Sequence, residues 1–562
     1  MMRESAFFAI VLLASLAGAR VSAQQTALQS VSASDRQILA SIAFPGHPVD
    51  EPLKCGLSVV AALEGKRASL SGEVQEKLQR LLMRVERQKS ITAGRFTVHY
   101  DTSGLDAATM LDGSYQPIPG SANVYADSVA AIANRVYTAE VAELGYLAPP
   151  SDGSRGGGPA YDIYVENLGF YGETIAEEPL DSKPTGGRYI TYMRIDNDFS
   201  FVRPEANKGL PGLRVTLAHE FHHMIQLGSY GYWGEDPFYY EITSTWMEDV
   251  VYPGVNDYLN YLKSSGGHFR NPDKAFNTAN GLIEYSRAIW GHFIAARFGS
   301  DMMRAALNNV MTVRPLEAID LALHAATPNP TTFKAEFAEW VLWNYYTGSR
   351  ADSSTYYPSG AIYPEIAQLP AEFVPPSGML TGSVEALSAR YHQVFTPVDT
   401  VVIVQCNINR ESAEGHSGST FPYSITLSSS QVDGSYEPAG NMLFISPSVS
   451  DPTNWKTLKI VQGVASLTGI AEGTPYPNPF RPNGTSVLFI PAQAASGTLY
   501  IYSSSMDLIY SAAQTSVVKG GKSMFTWNGH AHDDNPAKSG IYVFVLSIPG
   551  KTITGKIALI RN

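Results

Sequence analysis

The spacing of apolar residues divides the chain into three regions. The first is helical, most clearly after Ser71, where apolar residues recur on one helical face: Val74, Leu78, Leu81, Leu82 and Val85. The second mixes both periods and predicts strands at 95–100, 161–168 and 188–196 and helices at 123–144, 213–227 and 332–345. The third carries alternating, strand-like runs at 401–407, 423–428, 441–446, 456–462 and 498–502.

A chain of 562 residues needs several cores, because a single core stops growing near roughly 250–300 residues. We therefore predict a multidomain protein with an α+β domain at 93–350, built from a mixed sheet and a helical half. An N-terminal helical segment precedes it at 24–92, and two β-sandwich domains follow at 351–470 and 473–562. Two interpretations of the segment 24–92 remain open. It could be a prosegment that is removed by cleavage near Ser90, or it could be an ordinary helical layer of the mature protein.

The first 23 residues have the pattern of a secretory signal peptide. Arg3 is basic, residues 6–16 are apolar, and Val21-Ser22-Ala23 is similar to an A-x-A cleavage site. No later stretch reaches about 20 uninterrupted apolar residues, so we expect no transmembrane segment in the mature chain. The protein is predicted to be secreted or attached to an outer surface.

Charge and cysteine content narrow the possible partners. The net charge of -12, the pI near 5.5 and the lack of basic clusters in the sequence argue against nucleic acid and anionic lipid as partners. Cys55 and Cys406 are the only cysteines and have no metal-site spacing. They could pair in an oxidising compartment, or either could be a buried thiol.

The candidate chemistry is concentrated at His219-Glu220-Phe221-His222-His223, an HExxH motif. On a helix, His219 and His223 lie one turn apart on the same face, so both imidazoles can reach one metal ion beside Glu220. His222 points elsewhere and is interpreted as a packing residue. Core histidines satisfied by backbone are the alternative, but the paired spacing and the intervening acid favour zinc.

A catalytic zinc ion needs a third protein ligand and one open position for water. Glu241 is our choice for this ligand, on a helix predicted to begin with Asp236 as N-cap and Pro237 in the first turn. Glu248 lies two turns later on the same face, with Thr245 between them. Glu248 and Thr245 are candidates for orienting a ligand histidine from behind, although Glu248 could equally be a structural carboxylate.

These motifs resemble those of the gluzincin metallopeptidases, which include thermolysin and aminopeptidase-N-like enzymes. The match comprises HExxH and the pattern E-x-x-[AS]-x-[WY]-x-E at Glu241, Ser244, Trp246 and Glu248. The resemblance implies a zincin-like fold for 93–350, in which His219, His223 and Glu241 hold one catalytic Zn²⁺. It also implies that Glu220 acts as general base on the attacking water.

A further part of the resemblance concerns Tyr285. The stretch 281–299 looks like the helix whose tyrosine stabilises the oxyanion in aminopeptidase-type relatives, so Tyr285 is the candidate for this role, although a packing role is the alternative. The G-x-M-E-N segment of those relatives is absent, which favours internal cleavage of peptides. Residues 188–196 could line the cleft and pair with extended substrate, or form an ordinary sheet strand.

The last ninety or so residues carry a series of separated anchors: Tyr476-Pro-Asn-Pro-Phe480, 498–502, Trp527-Asn-Gly529, 539–542 and 555–561. In this order they resemble the Ig-like C-terminal sorting domains of the type IX secretion route. One departure is Asp507, where family members commonly have a turn glycine. The resemblance implies export across the outer membrane of a bacterium with the secretion machinery as partner, and a generic β-sandwich is the alternative.

The sequence thus predicts a secreted zinc-dependent endopeptidase that acts on a peptide or protein substrate. Two other interpretations stay open. The chain could be a catalytically inactive surface adhesin or binding protein built on a protease fold. It could also be a zinc hydrolase of a non-peptide amide, because the motif specifies the attacking water and not the substrate.

Overall fold

The structure is a computed structural model, and it describes residues 33–44, 53–183, 185–372, 377–395, 400–410, 413, 420–428, 432–436, 441–445, 472–473, 475, 480, 482, 487–519 and 522–561. The chain forms two compact units, Met1–Asn271 with Phe276–Glu365, and Pro272–Ala275 with Ile366–Asn562. The prediction of several domains with mixed α and β content is confirmed. The predicted signal peptide and the predicted strand at 456–462 lie outside the described residues.

The first unit begins with three helices, α1 (Ala33–Ala43), α2 (Gly56–Glu64) and α3 (Gly72–Leu81). Ser71 caps α3, because its hydroxyl accepts a hydrogen bond from the Val74 amide at 3.4 Å. The apolar faces of the three helices share one core with Leu168 and Phe170 of the following sheet region. We call residues 33–44 and 53–82 the N-terminal segment.

A five-stranded mixed sheet follows the N-terminal segment. Its strands are β1 (Lys89–Ala93), β2 (Phe96–Tyr100), β3 (Tyr161–Glu166), β4 (Gly172–Pro179) and β5 (Tyr189–Asp196), in the spatial order β1-β2-β3-β5-β4. The pairs β2–β3 and β3–β5 are parallel, whereas β1 and β4 run antiparallel to their neighbours. Strand β5 lies between β3 and β4, so the alternative of an ordinary sheet strand for 188–196 is confirmed and the hypothesis that it pairs with substrate is wrong. The two edge strands of this sheet are β1 and β4.

Two helices pack against the sheet, α4 (Ala122–Tyr137) and α5 (Leu210–Ile225). Helix α5 begins three residues earlier than predicted, because Pro211 fits the first turn and Gly209 takes the left-handed conformation, with φ of 67°, that precedes it. The helix also extends beyond its predicted end at residue 227, because it continues as a π-helical turn over Gln226–Tyr230 and ends at Gly231, with φ of 105°.

Seven further helices complete the first unit: α6 (Pro237–Val251), α7 (Tyr258–Lys263), α8 (Ile283–Ser286), α9 (Ile289–Phe298), α10 (Asp301–Val310), α11 (Pro315–His324) and α12 (Phe333–Tyr345). Helix α6 packs on α5 and on α9. Asp236 precedes α6 as predicted, but its side chain makes no cap hydrogen bond and instead accepts from Arg314. No described helix is both long and apolar enough to cross a bilayer.

The second unit is built from strands in the described ranges. Its first part contains β6 (Leu369–Glu372), β7 (Ser377–Glu385), β8 (Ser388–Phe395), β9 (Thr400–Asn407), β10 (Thr420–Ser428), β11 (Val432–Tyr436) and β12 (Asn441–Ile445). They form two sheets, β11-β10-β7 and β12-β9-β8-β6. The predicted strands at 401–407, 423–428 and 441–446 are therefore present, with ends shifted by a few residues.

The C-terminal part contains β13 (Leu488–Pro491), β14 (Ser496–Ser503), β15 (Leu508–Thr515), β16 (Val517–Lys519), β17 (Lys522–Trp527), β18 (Gly540–Ile548) and β19 (Lys551–Leu559). They form the sheets β13-β17-β16 and β15-β14-β18-β19. Leu488, Trp527, Leu499 and Phe544 from both sheets share one buried core, as expected of two sheets packed face to face.

Gly291 controls how closely α9 approaches α6. A Cβ atom at this position would lie 2.3 Å from the Trp246 ring, which is buried. We expect Gly291→Ala to lower the free energy of unfolding by about 1–3 kcal/mol, because the indole must shift within a packed core. Thermal unfolding followed by circular dichroism measures the effect. Gly254→Ala is the matched control, since its added methyl group meets nothing within 4 Å. Equal stability of the two variants would contradict the packing argument.

Candidate metal centre

The two histidines of the HExxH motif face each other on helix α5. Their Nε2 atoms are 3.1 Å apart, and Glu241 Oε2 from helix α6 lies 3.1 Å from His219 Nε2 and 3.4 Å from His223 Nε2. All three side chains are buried. The structure therefore brings together the three residues that the sequence predicts as metal ligands.

The opposite nitrogen of each ring is engaged by a hydrogen-bond acceptor. His219 Nδ1 lies 2.8 Å from Glu248 Oε1, and His223 Nδ1 lies 2.8 Å from Gln226 Oε1. The Gln226 amide is held in this orientation because its Nε2 donates to Thr243 Oγ1 at 2.7 Å. A proton on each Nδ1 satisfies these acceptors, which leaves both Nε2 atoms as bare lone pairs that point toward Glu241.

Three electron-rich atoms this close together need positive charge between or on them. A tetrahedral zinc ion with bonds of about 2.0–2.1 Å separates its ligand atoms by roughly 3.3 Å, which agrees with the observed separations. The alternative is a proton. Burial alone would lower the pKa of His219, but the hydrogen bonds to Glu241 and Glu248 outweigh it and raise the pKa to about 9. The donor set and its spacing fit zinc.

A fourth candidate ligand comes from the N-terminal segment. The Sγ atom of Cys55 and one donor atom from each of His219, His223 and Glu241 all lie within 4.8 Å of one another. Burial raises the pKa of the Cys55 thiol well above its usual range, with Glu220 and Glu241 adding to the effect. The alternative of a disulfide with Cys406 is wrong, because both thiols are free.

Glu220 lies beside this cluster and is completely buried. Thr174 Oγ1 on the edge strand β4 donates to Glu220 Oε2 at 2.8 Å, whereas Oε1 has no hydrogen-bond partner in the described part of the chain. Burial raises the pKa of Glu220 above its ordinary value, although His219 and His223 oppose the shift. One carboxylate oxygen is thus fixed by the sheet and the other is free to accept a proton.

Tyr285 on α8 lies near the cluster, with its ring centroid 6.2 Å from that of His219. Its hydroxyl is buried and has no hydrogen-bond partner among the described residues. Burial raises the pKa of Tyr285 well above its usual range, and Glu241 adds to the effect, so the phenol keeps its proton. A protonated, unpartnered hydroxyl close to a metal centre can donate to a developing oxyanion.

The other predicted residues have different surroundings. Glu248 is the carboxylate behind His219, in the place that an orienting residue needs. Thr245 is buried between the two glutamates, but its hydroxyl makes no hydrogen bond within the described ranges. His222 packs away from the centre, where its Nδ1 lies 2.8 Å from Glu140 Oε2.

Sequence reasoning missed several contributors to the centre. Gln226 could have been found, because it lies one helical turn after His223 on the same face. Cys55, Ser58 and Thr174 could not, because only the tertiary fold brings α2 and the edge strand to helix α5.

Comparison with known proteins adds little to this geometry. No family and no curated protein matches the chain. A solved structure that aligns with part of it is that of PorZ, described as an essential bacterial surface component of the type-IX secretion system of Porphyromonas gingivalis. The two are 13% identical, and the alignment covers 29% of this chain and 35% of the PorZ chain with a TM-score of 0.13. A likeness of this extent carries no argument about fold or function.

The contact between Glu248 and His219 generates a prediction about metal affinity. We expect Glu248→Gln to weaken zinc binding about 10–100-fold, because the imidazole loses the charge that fixes its tautomer and orientation. Competition with a chromogenic chelator measures the affinity. Asp249→Asn, which neutralises the next carboxylate of the same helix, is the matched control. Unchanged affinity in Glu248→Gln would show that the carboxylate has only a structural role.

Proposed function

We propose that the protein is a secreted zinc-dependent endopeptidase. One observation carries the proposal: Glu220 Oε1 is buried, has no hydrogen-bond partner among the described residues, and lies beside a cluster of donor atoms that fits zinc. A purely structural metal site needs no such acid, whereas a hydrolase needs a base next to the ion. In the proposed enzyme, zinc is held by His219, His223 and Glu241.

The chain's own residues have distinct roles in the proposed reaction. Zinc bound at this centre would polarise a scissile carbonyl and lower the pKa of water, as in known zinc hydrolases. Glu220 Oε1 accepts the proton of the attacking water and later returns it to the leaving amine, while Thr174 holds the other oxygen in place. Tyr285 donates its hydroxyl proton to the oxyanion in a hydrogen bond.

The edge strand β4 is the proposed docking site for the substrate backbone. One side of β4 is paired with β5, and no described strand of the sheet pairs with its other side. Its residues Gly172 and Thr174 lie against Glu220. A Cβ atom on Gly172 would lie 2.8 Å from Thr216 and 3.0 Å from Glu220, so only glycine leaves room there. An extended peptide that adds to this edge would place its carbonyl groups near the general base. Such docking needs no chain terminus and suits internal cleavage.

A second candidate is a binding protein whose zinc is only structural. It is favoured by the burial of all four candidate ligands, because a closed four-ligand set is typical of structural zinc. The buried and unpartnered Glu220 Oε1 and Tyr285 hydroxyl weigh against it, since such groups cost stability without a function. Metal-dependent turnover separates the two candidates.

Export through the type IX route is the proposed fate of the chain. Support comes from the C-terminal anchors, several of which meet around one core although they are distant in sequence. Phe480 pairs with the last strand through hydrogen bonds to Ala558 and Ile560, and Arg561 donates to the Gly529 carbonyl at 2.6 Å. Residues 476–479, which precede Phe480 in the first of these anchors, lie outside the described residues.

Substitution of the general base tests the mechanism. We expect Glu220→Gln to retain zinc and to abolish hydrolysis of a denatured protein mixture, because the amide cannot accept the water's proton. Metal content and cleavage products are measured on secreted protein recovered from the medium, with and without chelator. Glu317→Gln, at an exposed position of α11, is the control and should keep full activity. Wild-type turnover in Glu220→Gln would refute the mechanism.

The role of Tyr285 is tested separately. We expect Tyr285→Phe to lower kcat by about 10²–10³-fold with zinc content unchanged, because the oxyanion loses one donor. Tyr239→Phe is the matched control, since its hydroxyl is also buried and unpartnered. If both variants keep the wild-type kcat, Tyr285 is only a packing residue.

A further inference from the structure

The N-terminal segment reaches the candidate metal centre at Cys55, just before helix α2. Cys55 has extended backbone angles, φ −134° and ψ 138°, and forms a parallel β-bridge with Gly172 on the edge strand β4. Its thiol lies within the cluster of candidate ligands, next to His219, His223 and Glu241. The segment therefore occupies both the strand edge and the position beside the general base that a substrate and its attacking water need.

Residues on both sides of Cys55 are tied to the same centre. Lys54 Nζ pairs with Glu248 Oε2 at 2.9 Å and with Asp257 Oδ2 at 2.5 Å, and all three side chains are buried. Ser58 Oγ donates to Glu241 Oε1 at 2.6 Å. Glu248 and Glu241, the orienting residue and a candidate ligand, are thus both engaged by the N-terminal segment.

Close packing keeps the segment in this position. A Cβ atom on Gly56 would lie 2.3 Å from Glu173 Oε2, so any side chain there would push the segment away from β4. Arg36 of helix α1 adds a buried ion pair with Glu166 at 2.9 Å and a second with Glu173. The segment is docked by specific contacts along its length.

The charges of the four donors also suit a bound ion. Two neutral imidazoles, one carboxylate and one thiolate together carry the charge that balances a divalent cation in a buried site. Four protein ligands leave a tetrahedral zinc ion without a position for water. The ligand side chains are at most 1% exposed, so substrate has no access in this arrangement.

We propose that Cys55 is a fourth ligand of the metal and that the N-terminal segment keeps the centre closed until it is displaced. The ligand assignment stands on the cluster geometry alone, whereas the latency rests on the proposed peptidase function. Displacement through cleavage of the connection between α2 and α3, where Gly65, Lys66, Ala68, Ser69 and Ser71 are exposed, would remove the thiol and expose the edge of β4.

Cobalt substitution of the full-length chain tests the ligand assignment without any need for activity. Thiolate bound to Co²⁺ gives an intense charge-transfer absorption in the near ultraviolet, which imidazole and carboxylate do not give. We expect this absorption in the wild type and in the control Cys406→Ala, whose lost thiol is buried in β9. We expect its loss in Cys55→Ala and Cys55→Ser. Equal absorption in all four proteins, or none in the wild type, would overturn the assignment.

Hydrolysis of a denatured protein mixture by the same uncut chains tests latency. If the open form is populated at about 10% or less, Cys55→Ala raises the rate tenfold or more. Gly56→Ala, which keeps all four candidate ligands, should weaken the cobalt absorption and raise the rate as well. The double variant Cys55→Ala with Glu220→Gln should be inactive.

The outcomes distinguish this inference from the proposed function. If wild type and Cys55→Ala hydrolyse the mixture equally fast and lose activity with chelator, the latency is overturned and the peptidase function stands. If no variant hydrolyses peptides, the peptidase function fails and the latency fails with it, whereas the cobalt spectrum still decides whether Cys55 is a ligand.

Discussion

The convergence of three lone pairs in a buried space is the constraint on which the rest of the centre depends. Two imidazole nitrogens and a carboxylate oxygen lie 3.1–3.4 Å apart, and the acceptors at Nδ1 hold one proton of each neutral imidazole away from these three atoms. Such an arrangement is stable only around positive charge. The polar groups that contact the candidate ligands, and the helices that carry those groups, hold these three atoms together.

Packing outside the centre sets its geometry. Helix α5 lies between the sheet and helix α6, and the position of α6 depends on the fit of Trp246 against Gly291. On the other side, the edge strand β4 fixes Glu220 through Thr174. A shift of either support by an ångström would separate Glu220 from the candidate ligands, because buried helices and strands move as packed bodies.

Much of the fold and of the ligand set could be predicted from sequence, because the periods of helix and strand and the spacing of HExxH are local properties. Residues 213–225 lie within the predicted helix, and Glu241 reaches His219 because α6 packs on α5. The exact start of α5 depended on Gly209, and the interior position of β5 depended on strand order, which no local pattern contains. The predicted use of 188–196 as a substrate strand failed for this reason.

Cys55 illustrates the other limit of sequence reasoning. Its spacing from every histidine is arbitrary, so motif searches exclude it as a metal ligand. The proximity arises because the N-terminal segment crosses the sheet edge beside α5, and this contact is set by Lys54, Gly56 and Ser58 as much as by the cysteine. Tertiary contacts of this kind become visible only when the fold is known.

Glu248 links the two halves of the centre, since one of its oxygens orients His219 and the other pairs with Lys54. Thermodynamic reciprocity then applies: if the docked segment raises the affinity for the ion by some factor, the ion raises the affinity for the segment by the same factor. Metal-free chains would therefore release the N-terminal segment more readily than metal-loaded chains. Binding of the ion and release of the N-terminal segment would therefore be coupled at equilibrium.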